Sequence, residues 1–205
     1  MSRAAQIKLF YALEPLFHLK NFYVDSELRN INELIECEKA LHKAIDGKSK
    51  EDKQLYYESQ DLDIYYFEEI YPQLIRKTVF LQIYFILENC MNIVCDVARD
   101  NKSLKLSYKD IKGQGIVRAK TYLTKVCSIR EHFSTKNWEL ILEYNKLRNV
   151  IAHNSSILKE DFKIKPDGVK VFTNEDGEKT FELEEDFIPK CIKSVEKFIY
   201  CFRDI

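Results

Sequence analysis

The chain has 205 residues, of which 45% are apolar and 32% charged, and its formal net charge is −1. This share of apolar residues excludes a disordered chain, and the balanced charge excludes a protein that is basic over its whole surface. Only five glycines and four prolines are present. Because sandwiches and barrels need frequent turns, the composition favours an all-α fold with long helices.

Two helices are predicted at the start of the chain. Apolar residues recur at helical spacing over residues 4–22 and again over residues 27–45. Asp25 and Ser26 are typical caps for the beginning of the second helix, and Gly47 is typical of its end. We therefore expect a break between the two helices near Asp25.

A long buried helix is predicted after a charged linker over residues 48–53. Pro72 predicts a kink or a break, since proline lacks the N–H that a helix interior needs. Residues 73–99 are apolar on most faces, which indicates a central helix. The longest apolar stretch, residues 79–87, is too short to span a membrane, and the N-terminus lacks a signal-peptide pattern. We expect no membrane association and a cytoplasmic location.

Shorter elements are predicted in the second half. They are a short element over residues 104–115, helices over residues 116–127 and 136–153 with Thr135 capping the latter, and a final amphipathic helix over residues 185–202. Residues 169–173 and 179–183 alternate between apolar and polar around an Asn-Glu-Asp-Gly turn, which predicts a β-hairpin. The prediction is one domain over residues 1–205, with its core at 74–154 and the hairpin at about 163–184.

Metal and disulfide chemistry are not indicated by the cysteines. Cysteines of a cytoplasmic protein stay reduced, and none of the six forms a C-x-x-C pair or a zinc-like cluster with histidine. We expect no metal site, no cofactor and six reduced thiols. These thiols belong to Cys37, Cys90, Cys95, Cys127, Cys191 and Cys201.

Charge is segregated along the chain. Nine basic and two acidic residues give residues 99–130 a charge of +7, whereas ten acidic and four basic residues give residues 160–186 a charge of −6. The basic segment is either a solvated face or a footprint for a polyanion such as RNA. If RNA binds there, the expected contacts are Lys112, Arg118, Lys120 and Lys125.

The helix that ends near residue 153 carries the most informative motif, Arg-Asn-Val-Ile-Ala-His over residues 148–153. At about 100° per residue, Asn149 and His153 lie one turn apart on the face opposite an apolar stripe, with Arg148 between the two faces. The stripe consists of Leu140, Tyr144, Leu147 and Ile151. His153 is therefore not expected in the core, and the Asn149 amide is near enough to orient its ring.

The same outward face also carries apolar side chains. Leu142 and Trp138 lie one and two turns before Asn145. An apolar patch beside a polar cluster indicates a protein interface, so Trp138, Leu142 and Asn145 are candidate dimer contacts. Alternatively, another helix of the same chain covers this patch, and helix geometry alone leaves both interpretations open.

The motif resembles the R-N-x-x-x-H signature of HEPN domains, a superfamily of helical nucleases found in toxin–antitoxin, abortive-infection and CRISPR-associated proteins. Residues 81–89 resemble the long HEPN helix that carries an acidic residue facing the site, here Glu88, and residues 111–123 resemble a connecting segment of some prokaryotic members. The resemblance covers residues 74–154. It implies a helical bundle, a homodimer, and metal-independent RNA cleavage at a site composed of two motif copies.

The chemistry of these side chains suits RNA cleavage. RNA supplies its own nucleophile, the ribose 2′-OH, and imidazole has an unperturbed pKa near neutrality, so His153 can act as general base or acid. Arg148 can hold phosphate oxygens in its planar fork. Asn149 would orient His153 or contact the RNA backbone, and Glu88 would orient Arg148. Two copies face to face would supply both proton-transfer groups and yield a 2′,3′-cyclic phosphate.

Three functions remain open from the sequence. The first is an endoribonuclease that acts as a toxin or antiviral-defence effector, with RNA, a second copy, and a cognate antitoxin or defence-system protein as partners. The second is a catalytically inactive HEPN-like module that binds RNA, a nucleotide or another protein. The third is a structural helical subunit of a larger complex.

Overall fold

The computed structural model describes residues 3–154, 157–158, 166–203 and 205, without the side chains of residues 56–61 and 154. Over these residues the chain is an all-α bundle with one β-hairpin and a final helix, which confirms the predicted fold class. The elements are α1 (Arg3–Ile45), α2 (Lys50–Tyr65), α3 (Tyr71–Asn101), α4 (Gly115–Lys125), α5 (Lys136–Asn154), β1 (Val169–Thr173), β2 (Lys179–Leu183) and α6 (Phe187–Tyr200).

Helix α1 runs without a break for 43 residues, so the prediction of two helices is wrong. Tertiary contacts hold the helix on both sides of Asp25. The Tyr23 hydroxyl donates to the Glu185 carbonyl at 2.7 Å, and the Asn30 amide donates to the Phe67 carbonyl at 2.7 Å. The cap residues therefore remain in the helix, because local capping preferences are weaker than packing. Gly47, with φ +69°, follows the end of the helix as predicted.

The predicted charged linker is also wrong, because most of it is helical. Ser49 accepts a hydrogen bond from the Asp52 N–H at 3.1 Å and begins α2 at Lys50. A single π-helical turn, Tyr66–Ile70, then joins α2 to α3, and Pro72 lies in the first turn of α3. The Tyr71 N–H donates to the carbonyl five residues before it, so the backbone changes its bonding pattern where the proline N–H is missing.

Helix α3 is the central helix, as predicted, and α1, α4, α5 and α6 pack around it. Its fully buried side chains include Phe80, Ile83, Leu87, Cys90, Met91 and Val94. One stretch, Leu62–Asn101, has the length and apolar character of a membrane-crossing helix, and half of its most apolar window is buried inside the bundle. In this fold that stretch includes the core helix, and the expected lack of membrane association stays a prediction.

The hairpin is attached to α3 by side chains that bind its backbone. Strands β1 and β2 are antiparallel, with Val169 opposite Leu183, and both match the predicted strands. The Gln73 amide both accepts from the Leu183 N–H at 2.9 Å and donates to its carbonyl at 3.1 Å. Arg76 donates to the same carbonyl at 2.9 Å and forms a bidentate ion pair with Glu27 of α1. The predicted extension of the hairpin towards residue 163 lies outside the described residues.

Candidate functional site

Helix α5 carries the motif of residues 148–153 at its end, and its apolar side packs in the core. The Thr135 hydroxyl accepts from the Trp138 N–H at 3.1 Å, which confirms the predicted cap. Tyr144 and Leu147 are buried, so the predicted apolar stripe faces the core. The remaining stripe residues, Leu140 and Ile151, are partly buried and pack against it.

Trp138 is a core residue, so its prediction as a dimer contact is wrong. Only 2% of the residue is exposed. Its ring lies 5.0 Å from the Phe133 ring and 5.3 Å from the Phe198 ring of α6, with the Lys120 Nζ 5.3 Å from its centroid. Leu142 is likewise partly buried and packs against the core cluster. Helix α6 packs on α5 and closes this side, which is the alternative that the sequence left open.

Asn145 also serves the fold of its own chain. It is partly buried, and its Oδ1 accepts a hydrogen bond of 2.5 Å from the hydroxyl of Tyr84 on α3. Burial and the Glu88 carboxylate raise the pKa of Tyr84, and the Arg148 guanidinium opposes this shift, so the phenol stays protonated and donates. Asn145 therefore also binds its own chain, and its place at a dimer interface stays a prediction.

Asn149 and His153 are exposed in the last two turns of α5, as predicted. The Asn149 Oδ1 accepts a hydrogen bond of 3.1 Å from the Arg148 Nη1. The amide oxygen therefore binds the guanidinium, a contact that the sequence did not predict, and the predicted role of Asn149 in orienting His153 or contacting the RNA backbone stays a prediction. The side-chain Nδ2 of Asn149 carries the donors of this amide, and it can donate to a neighbour such as His153 or to a bound ligand.

Arg148 lies between the two faces of α5, and its guanidinium packs on aromatic rings of α3. The guanidinium carbon is 5.6 Å from the Tyr84 centroid and 5.6 Å from the Phe85 centroid. The Nε atom is buried and has no hydrogen-bond partner in the structure. Because this atom is closed off from solvent, an incoming anionic oxygen would bind the outer guanidinium nitrogens, Nη1 and Nη2.

Glu88 lies on α3, one turn after Tyr84, and is partly buried. Burial raises the pKa of its carboxyl, while the guanidinium groups of Arg148 and Arg118 partly counteract that rise. Among the described residues, Glu88 is not in any ion pair shorter than 4.0 Å. The structure thus places Glu88 near Arg148, as the resemblance implied, and its catalytic role stays a prediction.

Helix α4 brings a second arginine to the same carboxylate. A Cβ atom on Gly115, the first residue of α4, would lie 2.5 Å from the Glu88 Oε1, so only glycine fits there without a shift. The backbone N–H groups of a first helical turn favour such a negative group. Arg118 lies one turn later, its guanidinium carbon 5.4 Å from the Tyr108 centroid, and its Nε is also buried without a partner.

The four predicted RNA contacts lie on α4 and in the loop before it, and their role stays a prediction. Lys112 is exposed in the loop before α4, and Lys125 is exposed at the end of that helix. Lys120 is partly buried against the Trp138 ring, on the side of α4 away from Arg118. Of the four, the structure brings Arg118 to the arginine–glutamate cluster.

Sequence reasoning did not single out Tyr84 or Gly115, although each is marked by a simple signal. Tyr84 precedes Glu88 by four residues and therefore shares its helix face. Gly115 ends the Gly-Gln-Gly run and has φ +54°, a conformation that favours glycine. We name Glu88, Arg118 and Arg148, with Gly115 and Tyr84 beside them, the arginine cluster.

Five cavities, with volumes of about 400 to 590 Å³, are lined by residues of α1, α3, α5 and α6 and the segments beside them, and no residue of the arginine cluster lines them. Over the described part of the chain, no group of three or more His, Cys, Asp or Glu side chains could hold a metal ion. The candidate site is therefore the surface formed by the arginine cluster and the end of α5.

Comparison with known proteins gives no relative: no family model, no curated protein and no solved structure matches the chain. The chemistry of the site must therefore support any assignment of function.

Proposed function

We propose that the chain is a metal-independent endoribonuclease of the HEPN type, acting in the cytoplasm as a toxin or antiviral-defence effector. The observation that carries the proposal is an exposed imidazole at His153 close in sequence to Arg148, whose partly buried guanidinium forms, among the described residues, one hydrogen bond, to Asn149. RNA cleavage needs a group that moves protons and a donor that binds a phosphate oxygen. The end of α5 provides both.

The reaction needs no co-reactant beyond RNA. The ribose 2′-oxygen attacks the adjacent phosphorus, the bond from phosphorus to the 5′-oxygen breaks, and a 2′,3′-cyclic phosphate forms. His153 takes the proton of the 2′-OH, and a second imidazole returns a proton to the leaving 5′-oxygen. Arg148 binds the phosphate oxygens, on which negative charge builds in the transition state.

The setting of Arg148 supports a role in binding phosphate. Two aromatic rings and the side-chain Oδ1 of Asn149 hold the Arg148 guanidinium, so little side-chain freedom is lost when an anion binds. Arg118 adds a second positive charge, and Glu88 offsets one of the two when it is ionised. The arginine cluster then carries a net charge of +1, which rises to +2 when Glu88 is protonated.

A second copy would supply the second imidazole. Of the predicted dimer contacts, Trp138 is buried in its own chain, so the two copies would have to meet through other residues. Phe85 is an exposed apolar side chain beside Arg148 and is available for that contact. Besides RNA and this second copy, a cognate antitoxin or defence-system protein is the partner we expect, because a free ribonuclease would damage its own cell.

The test is cleavage of single-stranded and structured RNA by purified protein in EDTA. We compare the wild type with His153→Ala and with His18→Ala, which alters an exposed histidine of α1. General-base catalysis contributes on the order of 10²–10⁴ in rate, so His153→Ala should lose that factor and His18→Ala should lose nothing.

Two results would contradict the catalytic assignment. Equal cleavage by the wild type and His153→Ala would show that another group or a contaminant cuts the RNA. Binding of RNA without cleavage, unchanged in His153→Ala, would favour the inactive binding module instead.

A further inference from the structure

Helix α1 carries an apolar stripe whose side chains remain more than a third exposed. The stripe is distinct from the buried side of the helix, which includes Leu9, Leu13, Leu16 and Tyr23. Its six side chains are between 38% and 64% exposed: Phe10, Phe17, Val24, Leu28, Ile31 and Ile35. We name these six residues the α1 seam. Large apolar surfaces of this kind mark interaction sites.

The spacing of the α1 seam follows a seven-residue repeat. Phe10, Phe17, Val24 and Ile31 are each seven residues apart, as are Leu28 and Ile35. From Val24 onward the steps alternate between four and three residues, which is the pattern of d and a positions in a coiled coil. A straight helix drifts by about 20° per seven residues, so a strict repeat indicates a partner helix that supercoils with this one.

We propose that the α1 seam binds the α1 seam of a second copy, as a parallel, in-register, two-stranded coiled coil. In that register each of the six apolar side chains meets its own counterpart. Antiparallel registers place d positions opposite a positions, and they match at most four of the six, because Glu14 and Asn21 occupy the first two a positions. Self-pairing in register is therefore the arrangement that buries the whole seam.

The polar residues of the repeat favour the same register. Asn21 lies between Phe17 and Val24 at an a position, where a single asparagine is known to fix register and a two-stranded state. Lys20, at a g position, would lie beside Asp25 of the second copy at the following e position, and this attraction occurs on both flanks of the pair. Glu14 repels its counterpart, so the firmest pairing is expected from Phe17 to Ile35.

The area of the α1 seam alone falls just short of a specific dimer interface. With side chains of this size, the exposed fractions amount to roughly 500–600 Å² per copy, close to the lower limit of ~1,200 Å² in total for specific interfaces. Beside Val24, Leu28 and Ile31, a cavity of about 450 Å³ separates the seam from Asp186 and Pro189 at the start of α6. The partner helix would partly fill this cavity and gain further area.

The first experiment measures mass in solution over a range of concentrations, by light scattering and sedimentation. Leu28→Glu places a charge in the α1 seam, and Phe22→Glu places one on an equally exposed aromatic residue of α1 outside the seam. We expect Leu28→Glu to halve the mass of the wild-type assembly and Phe22→Glu to leave it unchanged. Circular dichroism checks that both variants keep their helix content.

Three results of that experiment would overturn the proposal. They are a wild type that stays monomeric at every concentration, an assembly that survives Leu28→Glu, and an assembly lost equally in both variants. A wild type that is always monomeric would also contradict the two-copy site of the proposed function, whereas an assembly that survives Leu28→Glu would overturn this proposal alone.

The second experiment tests the register. Val24→Cys is made in a background with Cys37→Ser and Cys201→Ser, which removes the two cysteines that are not buried. Parallel, in-register pairing places residue 24 beside its own counterpart, so mild oxidation should yield a covalent dimer in most of the protein. A dimer that is visible by mass but not cross-linked at residue 24 would contradict the parallel register.

Discussion

Two arginines of this bundle have opposite surroundings. Arg76, between α1, α3 and the hairpin, uses its Nε and Nη2 on the Glu27 carboxylate and its Nη1 on the Leu183 carbonyl. Arg148 has one hydrogen bond, to Asn149, and a buried Nε without a partner. The guanidinium of Arg76 binds its own chain through all three nitrogens, whereas that of Arg148 binds its own chain through one.

This comparison separates a structural arginine from a candidate functional one. A guanidinium that binds its own chain through all three nitrogens stabilises the fold by joining elements, and its loss leaves a buried carboxylate without its counter-charge. A guanidinium with an unpartnered N–H lowers the stability of the free protein, and binding of an anion restores that stability. Changes at Arg76 should therefore act on stability, and changes at Arg148 should act on activity.

The largest effect is expected from Arg76→Met. It leaves the Glu27 carboxylate buried without its cation, which costs about 3–5 kcal/mol in the free energy of unfolding. Urea unfolding measures this loss. The control is Lys39→Met, which removes a 2.8 Å ion pair with Glu36 whose side chains are 66% and 70% exposed, and it should change little. Similar losses in both variants would show that the ion pair between Arg76 and Glu27 does not stabilise the fold more than a surface pair does.

Arg148→Gln should act mainly on cleavage and less on stability. Removing a donor that stabilises developing charge lowers rates on the order of 10²–10³-fold, so cleavage should fall by that factor. The free energy of unfolding should fall less than in Arg76→Met, since Arg148 loses one hydrogen bond and its packing on two rings but no ion pair. A large loss of stability with unchanged cleavage would make Arg148 a second structural arginine and would remove the contrast.

Gly115→Ala sharpens the description of the arginine cluster. A positive φ costs a non-glycine residue roughly 1–2 kcal/mol, and the new Cβ would also displace the Glu88 carboxylate. Gly177→Ala is the matched control, because Gly177 has φ +79° with no atom near the added Cβ. Thermal unfolding should show the greater loss for Gly115→Ala. Equal losses would mean that the Glu88 carboxylate is not held against α4 and moves aside without cost.

The smallest effect is the pH dependence that Glu88 contributes. Burial raises the pKa of Glu88 in the folded state, so the folded chain holds that proton more tightly than the unfolded chain does. Its contribution to stability is full below the ordinary glutamate pKa of ~4.3 and is lost as the pH rises through the raised value.

Glu88→Gln removes this dependence. The variant should be more stable than the wild type at neutral pH, and the difference should fade below about pH 4. Urea unfolding at several pH values measures it. A variant that is less stable at neutral pH would show that the attraction of Arg118 and Arg148 outweighs the cost of burial.

The sequence predicted the elements whose pattern is local. The hairpin strands, the Thr135 cap and the buried side of α5 follow from alternation, capping and helical period, and the structure confirms them. The same period placed His153 and Asn149 on an exposed face. These features depend on residues a few positions apart, so they can be predicted from the sequence alone.

Features that depend on distant contacts were not predictable in this way. Helical period gives the faces of α5 but not the neighbour that covers each face, so Trp138 was placed at an interface while α6 in fact buries it. Likewise, Asp25 offered a cap, but contacts from Phe67 and Glu185 keep α1 continuous. The meeting of Gly115 with Glu88 also needs the packing of α4 on α3.

The central claim is that the end of α5 cleaves RNA through the ribose 2′-OH. The most direct measurement is to incubate an RNA oligonucleotide with the protein in EDTA and to identify the new ends by mass spectrometry, beside the same oligonucleotide with 2′-deoxyribose throughout. The account predicts a 2′,3′-cyclic phosphate and a 5′-hydroxyl from RNA, no cleavage of the deoxy strand, and loss of the products in His153→Ala. Cleavage of the deoxy strand, or cyclic-phosphate products formed equally by His153→Ala, would contradict it.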